Sequence, residues 1–216
     1  MDAPGNQRQF LATSLKQGRL LIGEVLLGRD FSLRHAGDAD RTDLTIHTDP
    51  LDAREIARYD CEGNFRPLKS APNLRRGWVL KAGSLEGMEL ALEFLYPAAL
   101  GLCTSWMRGT LDPTTLRETL DRQTGMFRVT QLLRNDQAHE LIQEHCSSCR
   151  GCLRTILWEI DHDLAITGMQ PDKIALTKLS NDRIPLICRE ACNLLVAAAR
   201  PIAKGNASQG QSSQQG

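Results

Sequence analysis

The stretch that decides the fold of this chain is a run of three evenly spaced cysteines, Cys146-Ser147-Ser148-Cys149-Arg150-Gly151-Cys152. Two residues separate each cysteine from the next, so a tight loop can direct successive thiolates at one metal centre. Bacterial ferredoxins continue this run with three residues and a fourth cysteine, but residue 156 of this chain is Ile. A fourth ligand must therefore come from elsewhere in the chain.

The downstream candidates for that ligand are the two cysteines of Cys188-Arg189-Glu190-Ala191-Cys192. We expect one helix to begin directly after Cys152 and a second at Pro185, which places both cysteine groups at helix N-termini. Unpaired amide groups at a helix N-terminus stabilise anionic sulfur. The sequence thus predicts a metal site held by residues drawn from Cys146, Cys149, Cys152, Cys188 and Cys192.

An iron–sulfur cluster is the cofactor that this pattern favours, because a triple run of cysteines is more typical of cluster proteins than of zinc sites. Zinc is the alternative, since four-cysteine zinc sites also use pairs separated by two residues. The third interpretation is that the cysteines are small buried hydrophobic residues. We expect Cys103 to be a packing residue and Cys61 to be a free thiol in a turn.

Composition excludes several classes of function. The chain has 216 residues, with 26 Lys+Arg against 26 Asp+Glu, so it lacks the basic surplus of a general nucleic-acid or anionic-membrane binder. No stretch approaches the ~18 consecutive apolar residues of a membrane span. The N-terminus lacks the plan of a secretion signal, and the seven cysteines are an odd number. We therefore expect a cytoplasmic protein without a disulfide framework.

The periodicity of apolar residues predicts an α+β protein, in which a small antiparallel β-rich N-terminal module precedes a helical iron–sulfur cluster-binding module. Strands are expected at residues 19–27, 31–35, 43–47 and 78–80, with a short helix at 50–59 capped by Asp49. Helices are expected at 85–95, from 113 to about 125, at 136–145, at 153–160, and from 185 onward. The predicted divisions are 17–82, 83–203 and a disordered tail at 204–216.

Several strings also resemble a known protein family. Residues 59–68 (Tyr59 to Leu68) and 74–78 resemble the small β domain that stabilises the iron–sulfur domain in large CbiX-type sirohydrochlorin cobaltochelatase-like proteins. Residues 95–97, 122–128, 152–158 and 185–193 resemble the 4Fe-4S cluster-binding domain that accompanies it. Together these strings extend from about residue 17 to residue 200.

The resemblance implies a 4Fe-4S cluster and a role in tetrapyrrole metabolism, around cobalamin or sirohaem. Cys152, Cys188 and Cys192 lie in the matching strings, while Cys146 and Cys149 compete for the remaining ligand position. The chelatase domains that precede these modules in that family have no counterpart here. The five histidines, His35, His47, His139, His145 and His162, are expected at the surface rather than at a catalytic site. We therefore do not expect this chain to be an enzyme on its own.

Two hypotheses about function follow. In the first, the chain is an electron-transfer or accessory protein, whose cluster serves a chelatase-like or redox enzyme as protein partner. In the second, it is a structural or interaction module in which a cluster or zinc joins helices and no electrons move. A reversible redox couple distinguishes the first hypothesis from the second.

Overall fold

The computed structural model describes residues 4–66, 73–111, 114–116, 118, 133–146, 154–156, 158–159, 183–184, 186–188 and 191–212. The chain forms two compact units. One comprises residues 1–111 with 174–187, and the other comprises residues 112–173 with 188–216. The combination of a sheet with helices confirms the predicted α+β class.

In the first unit, helix and strand alternate over short distances. Its elements are α1 (Pro4–Lys16), β1 (Leu20–Ile22), β2 (Val25–Leu27), β3 (Ser32–His35), β4 (Thr45–His47), α2 (Ala53–Ile56), β5 (Trp78–Lys81), α3 (Leu85–Leu95) and α4 (Ala99–Met107). Single turns of 3-10 helix occupy Ala36–Asp38 and Pro50–Asp52. The first strand after these elements is β6 (Thr114–Thr115), which belongs to the second unit.

Later segments of the chain contribute to both units. They are α5 (Asn135–His145), β7 (Arg154–Ile156), β8 (Trp158–Glu159), β9 (Arg183–Ile184), β10 (Leu186–Cys188) and α6 (Asn193–Ser212). Strand β9 returns to the first unit, where Leu21 and Ile22 of β1 pair with Arg183 and Ile184. In the second unit, β6 pairs in parallel with β8.

The sheet of the first unit has the strand order β4-β5-β3-β2-β1-β9. The inner pairs are antiparallel, as predicted, whereas β4 with β5 and β1 with β9 are parallel. Directly opposed residues share a face of a sheet. One face carries fully buried leucines, namely Leu20, Leu27, Leu33 and Leu80. Helices α1 to α4 also contribute buried apolar side chains to the first unit, among them Leu11, Met88 and Leu100.

The two best-defined helix starts follow from their capping residues. The Ser84 hydroxyl accepts the Gly87 N–H at 3.0 Å, and α3 then buries Met88, Leu92 and Leu95 as its period predicts. The Asp49 carboxylate accepts the Leu51 N–H at 2.9 Å, which confirms the predicted cap of the turn at Pro50–Asp52.

Two helix predictions are wrong, and a third helix begins later than predicted. The helix expected from residue 113 does not begin there, because Thr114 and Thr115 form strand β6, but Leu116 and Glu118 within the predicted range are helical. The segment expected as a helix at residues 153–160 contains strands β7 and β8 instead. The helix expected from Pro185 begins only at Asn193, after strand β10. In each case the apolar run is short, and a short apolar run fits a strand as well as a helix.

The predicted tail and the predicted boundary also differ from the structure. Helix α6 continues to Ser212, and Asn206 donates through Nδ2 to Gln137 Oε1 on α5 at 2.8 Å, so residues 204–212 are not a disordered tail. The expected boundary lay between residues 82 and 83, whereas the first compact unit includes α3 and α4. Helix α1, with Leu11 and Leu15 buried, lies largely before the predicted start at residue 17.

The helices in the described part of the chain differ from membrane spans in length or composition. No single helix there is both long and apolar enough to cross a bilayer. Helices α3 and α4 reach that length only when taken together, across a bend of 101°.

Candidate metal centre

Three of the five candidate cysteines lie within the described residues. Cys146 directly follows α5, Cys188 is the last residue of β10, and Cys192 directly precedes α6. Cys149 and Cys152 fall outside the described residues. Each of the three described candidates therefore lies at the end of a helix or strand.

Cys146 forms the C-terminal cap of α5. Its N–H donates to the Ile142 carbonyl at 2.8 Å, and its own backbone remains helical. The last carbonyl oxygens of a helix point away from its C-terminus and carry partial negative charge. The backbone around Cys146 therefore disfavours an anionic sulfur.

Cys192 occupies the opposite kind of helix end. Its carbonyl accepts the Val196 N–H at 3.0 Å, which is the first hydrogen bond of α6. The N–H groups of the first turn have no partners within the helix and favour nearby negative charge. The prediction of a helix start beside the cysteines is thus confirmed for Cys192 and wrong for Cys188, which ends a strand.

The C-terminal end of α5 and the N-terminal end of α6 pack against the same hydrophobic cluster. It consists of the buried residues Leu116, Leu133, Ala138, Leu141, Ile142, Ala191, Leu195, Val196 and Ala199. Cys146 and Cys192, both partly buried, pack against it, as do Ala198 and Ile202. Helices α5 and α6 contact each other along this cluster. The apolar surroundings limit water access, which is one of the features by which a protein tunes a metal centre.

The donor set of the second unit fits an iron–sulfur cluster. All five candidate sulfurs belong to residues between 146 and 192, and thiolates are the ligands that such clusters take. Among the residues that the structure describes, no three His, Cys, Asp or Glu side chains converge on one point. The residues that can complete the set, Cys149 and Cys152, are outside that part of the chain.

Cys103 and Cys61 have different surroundings from the candidate ligands. Cys103 is fully buried in α4, and burial raises the pKa of its thiol to about 12. A protonated thiol is a poor metal ligand, so this environment supports the expected packing role. Cys61 is exposed in a turn, with its N–H donating to the Asn73 carbonyl at 3.1 Å. This placement fits a solvent-facing thiol.

The histidines include one clear departure from expectation. His35 is not at the surface but 5% exposed in β3, where its Nδ1 accepts the Gly37 N–H at 2.9 Å. His47 is half-buried, with Nδ1 at 3.2 Å from Asp52 Oδ2. His139 and His145 are also half-buried, and His162 lies outside the described residues.

A partly buried polar network surrounds Glu24, and no local sequence pattern indicates it. The Glu24 carboxylate accepts the backbone N–H groups of Leu74 at 2.8 Å and Asn73 at 3.2 Å. Its Oε1 lies 3.8 Å from His35 Nε2, an electrostatic contact longer than a good hydrogen bond. The backbone N–H of Glu24 donates to the Tyr96 hydroxyl at 2.9 Å. The network ties the segment at 73–74 to the β1–β2 hairpin and to the end of α3.

The network holds Glu24 in its charged form. Burial acts to raise the pKa of Glu24, but the interaction with His35 and the two backbone N–H donors outweigh it and lower the pKa below 4.5. For Tyr96, burial raises the pKa. Local sequence patterns do not reveal this contact, because Glu24 and Tyr96 are 72 residues apart in the chain. The arrangement is structural, because Glu24, His35 and Tyr96 each accept a hydrogen bond from a backbone N–H of the protein itself.

Two family models match this chain, and they meet near residue 110, where the first compact unit gives way to the second, although residues 174–187 of the first unit lie within the second match. Residues 8–109 match a family model described as the DR2241 stabilising domain, and residues 108–201 match one described as a 4Fe-4S iron-sulfur cluster binding domain. The second match contains all five candidate cysteines. It favours an iron–sulfur cluster and lends no support to the zinc alternative. No functionally curated protein matches this chain significantly.

A solved structure extends the comparison across both units. DR2241 from Deinococcus radiodurans, described as a multi-domain protein with structural similarity to chelatases and two additional novel domains, matches with a TM-score of 0.70 and 31% sequence identity. The alignment covers 93% of this chain and 41% of DR2241. The chain thus spans about two fifths of the length of that relative.

Proposed function

Because this chain joins a DR2241 stabilising domain to a 4Fe-4S iron-sulfur cluster binding domain, we propose that it is a redox or accessory partner of a chelatase-like enzyme of tetrapyrrole metabolism. The observation that carries the proposal is the match of residues 108–201, which include all five candidate cysteines, to a cluster-binding domain. The similarity of DR2241 to chelatases supports a chelatase-like partner. When bound, the cluster supplies one-electron chemistry, with a potential set by its charge, hydrogen bonds and exposure.

Four of the five cysteines suffice as ligands, and we assign them to Cys149, Cys152, Cys188 and Cys192. The argument for Cys192 is its place at the N-terminus of α6, where unpaired amides favour anionic sulfur. The argument against Cys146 is its place at the C-terminus of α5, where carbonyl oxygens repel negative charge. In this assignment Cys146 is a packing residue of the hydrophobic cluster.

Charge balance supports an anionic centre in this part of the chain. Four thiolates and their cluster carry net negative charge, which is costly in apolar surroundings without compensation. The sequence places Arg150, Arg154 and Arg189 beside the candidate cysteines. These arginines, with the first-turn amides of α6, are the groups that we expect to offset the charge.

A second candidate function is a purely structural role for the cluster. The observation that favours it is the packing of α5 and α6 on one hydrophobic cluster, since a centre held by Cys149 and Cys192 joins the chain that follows α5 to the start of α6. Small domains often obtain part of their folding free energy from such a site. In that case the cluster has no need of a reversible redox couple.

A potentiometric titration distinguishes these two functions. Protein purified without oxygen is reduced and reoxidised stepwise, and the cluster is followed by electron paramagnetic resonance. A redox partner gives a reversible one-electron couple and retains its iron through several cycles. A cluster that is silent or that decays on the first reduction contradicts the redox proposal and leaves the structural role.

A further inference from the structure

A surface groove in the first unit, with a volume of about 410 Å³, has a positively charged lining. It lies near the C-terminus of α1 and along the β2–β3 hairpin. Three arginines line it, Arg19, Arg29 and Arg34, against one acidic residue, Asp30. The whole chain has no net charge, so this concentration of arginines is a local feature.

Arg29 is held in position by the helix before it. Its Nε donates to the Leu15 carbonyl at 3.2 Å and its Nη2 donates to the Lys16 carbonyl at 2.6 Å. These carbonyls belong to the last turn of α1, where a positive charge is favourable. A guanidinium carries five N–H donors, so Arg29 retains donors for a ligand while its orientation is fixed.

Arg34 and Arg19 add positive charge to the groove and, among the described residues, make fewer hydrogen bonds to the protein than Arg29 does. Arg34 donates through Nη1 to the Ala39 carbonyl at 3.3 Å, a long hydrogen bond that leaves its other donors available among the described residues. Arg19 is exposed and lines the groove directly. The Asp30 carboxylate accepts the Ser32 hydroxyl at 2.7 Å and interacts electrostatically with Arg34, so one acidic group offsets part of the charge of the three arginines.

The floor beside these arginines is apolar. Leu26 lines the groove and is only half-buried. By strand register it lies between Leu21 and Arg34, and Arg34 in turn lies opposite Val79. Ile46, at the sheet edge and 60% exposed, shares that face. From Leu21 to Ile46, this face of the sheet thus carries four apolar side chains with Arg34 among them, and Leu26 and Ile46 are accessible.

We propose that this groove is the docking site for an acidic segment of a partner protein, in which carboxylates alternate with apolar side chains. Guanidinium groups bind carboxylates in planar, bidentate geometry, and an apolar side chain of the same segment can cover Leu26. Sites for small molecules are enclosed and bury most of their ligand, whereas two of the three arginines here are exposed. The open shape with complementary charge fits an extended peptide.

The proposal is independent of the cluster, because every lining residue belongs to the DR2241 stabilising domain. The test uses the full chain with its cluster and a fluorescein-labelled hexapeptide in which glutamate alternates with leucine. Binding is measured by fluorescence anisotropy, and retention of the cluster is checked by absorbance in the same samples. If the peptide does not bind while the cluster is intact, the docking proposal is wrong and the proposed function is unaffected. If the cluster is lost, the result bears on the metal centre and not on the docking proposal.

Three variants locate the interaction. Arg19→Glu reverses one charge of the groove and Arg34→Gln neutralises another. Arg34→Gln is expected to weaken binding by about tenfold, the loss typical of one charge-assisted hydrogen bond, and Arg19→Glu by at least as much. Arg54→Glu changes an exposed arginine on α2, outside the groove, and is the matched control with unchanged affinity. Circular dichroism melting of each variant verifies that it is folded.

Control ligands test the two parts of the recognition. Replacing the glutamates by glutamine is expected to abolish binding, and an all-glutamate hexapeptide is expected to bind more weakly than the alternating one. Raising the ionic strength is expected to weaken binding, because exposed charges are screened. Absence of binding to the wild type, equal affinity in Arg19→Glu, or an equal loss in Arg54→Glu overturns the proposal. Full competition by inorganic phosphate also overturns it and indicates a simple anion site.

Discussion

Cys146 and Cys192 lie at opposite kinds of helix end, and both pack against one hydrophobic cluster. Cys146 closes α5, where carbonyl oxygens are exposed, and Cys192 opens α6, where amide groups are exposed. The two helices contact each other, so their ends bring both sulfurs to a common apolar core. Chemically, however, the two positions are not equivalent, because only the second favours an anion.

This difference predicts the outcome of cysteine replacement. Cys192→Ser and Cys149→Ser are expected to lose most of the bound iron, whereas Cys146→Ser is expected to retain it. Iron is measured per chain after anaerobic purification. Cys61→Ser and Cys103→Ala are the controls, since Cys61 is exposed and burial holds the Cys103 thiol protonated. Iron loss in Cys103→Ala, with an unchanged melting temperature, shows that the ligand assignment is wrong.

The β1–β2 hairpin gives a test of packing in the first unit. Gly23 has a φ of +58°, and a Cβ there approaches the Tyr96 ring to 2.6 Å. We expect Gly23→Ala to lower the free energy of unfolding by about 2–4 kcal/mol, through backbone strain and overpacking together. Chemical denaturation measures the loss.

Gly63 provides the matched control for that prediction. Its φ is +84°, and a Cβ there meets nothing within 4 Å. Gly63→Ala is therefore expected to cost only the backbone term, about 1–2 kcal/mol. Equal losses in the two variants contradict the close contact between Gly23 and Tyr96.

The Glu24 network predicts a pH dependence of stability. Its carboxylate has a folded-state pKa below the ordinary 4.5, so its stabilising contribution is full above that value and disappears as pH falls through the lowered pKa. Glu24→Gln is expected to melt at a lower temperature than the wild type at neutral pH, because the two backbone N–H groups donate to different carboxylate oxygens and an amide has only one acceptor oxygen. The two melting temperatures converge in acid. A constant difference from pH 7 to pH 3 argues against this origin.

Part of this fold follows directly from local sequence, and part does not. The helix Leu85–Leu95 is predictable because Ser84 caps it and its buried residues recur at helical spacing. The strands Arg154–Ile156 and Trp158–Glu159 are not, because the pairing that defines β8 is with Thr114–Thr115, about forty residues earlier. Likewise, the turn at Gly23 does not follow from local sequence, because residues 19–27 read as one apolar strand although they form β1 and β2.

The candidate site shows the same division. Cysteine spacing identifies Cys146 and Cys192 as candidates, yet only the helix ends distinguish them. The burial of His35 and the contact of Glu24 with Tyr96 depend on strand register and on segments far apart in the chain. Local patterns therefore indicate that the chain has metal-binding chemistry. The surroundings of each cysteine, which depend on contacts between distant segments, determine which cysteines favour the role of ligand.

Removal of the cluster is expected to affect the two units unequally. A metal centre that joins residues near 146 to residues near 192 contributes its binding free energy to folding of that unit. Amide hydrogen exchange after chelation is expected to show loss of protection in α5 and α6, with protection in β2, β3 and β5 largely retained. Equal loss in both units indicates that the chain unfolds as one cooperative domain.

The central claim is that this chain binds a 4Fe-4S cluster, and metal analysis combined with spectroscopy tests it most directly. Protein purified without oxygen is assayed for iron, sulfide and zinc per chain, and its visible absorption is recorded before and after reduction. We predict four irons and four sulfides per chain, a brown colour, and a broad visible band that bleaches on reduction. A colourless protein with stoichiometric zinc, or with no metal at all, contradicts the account.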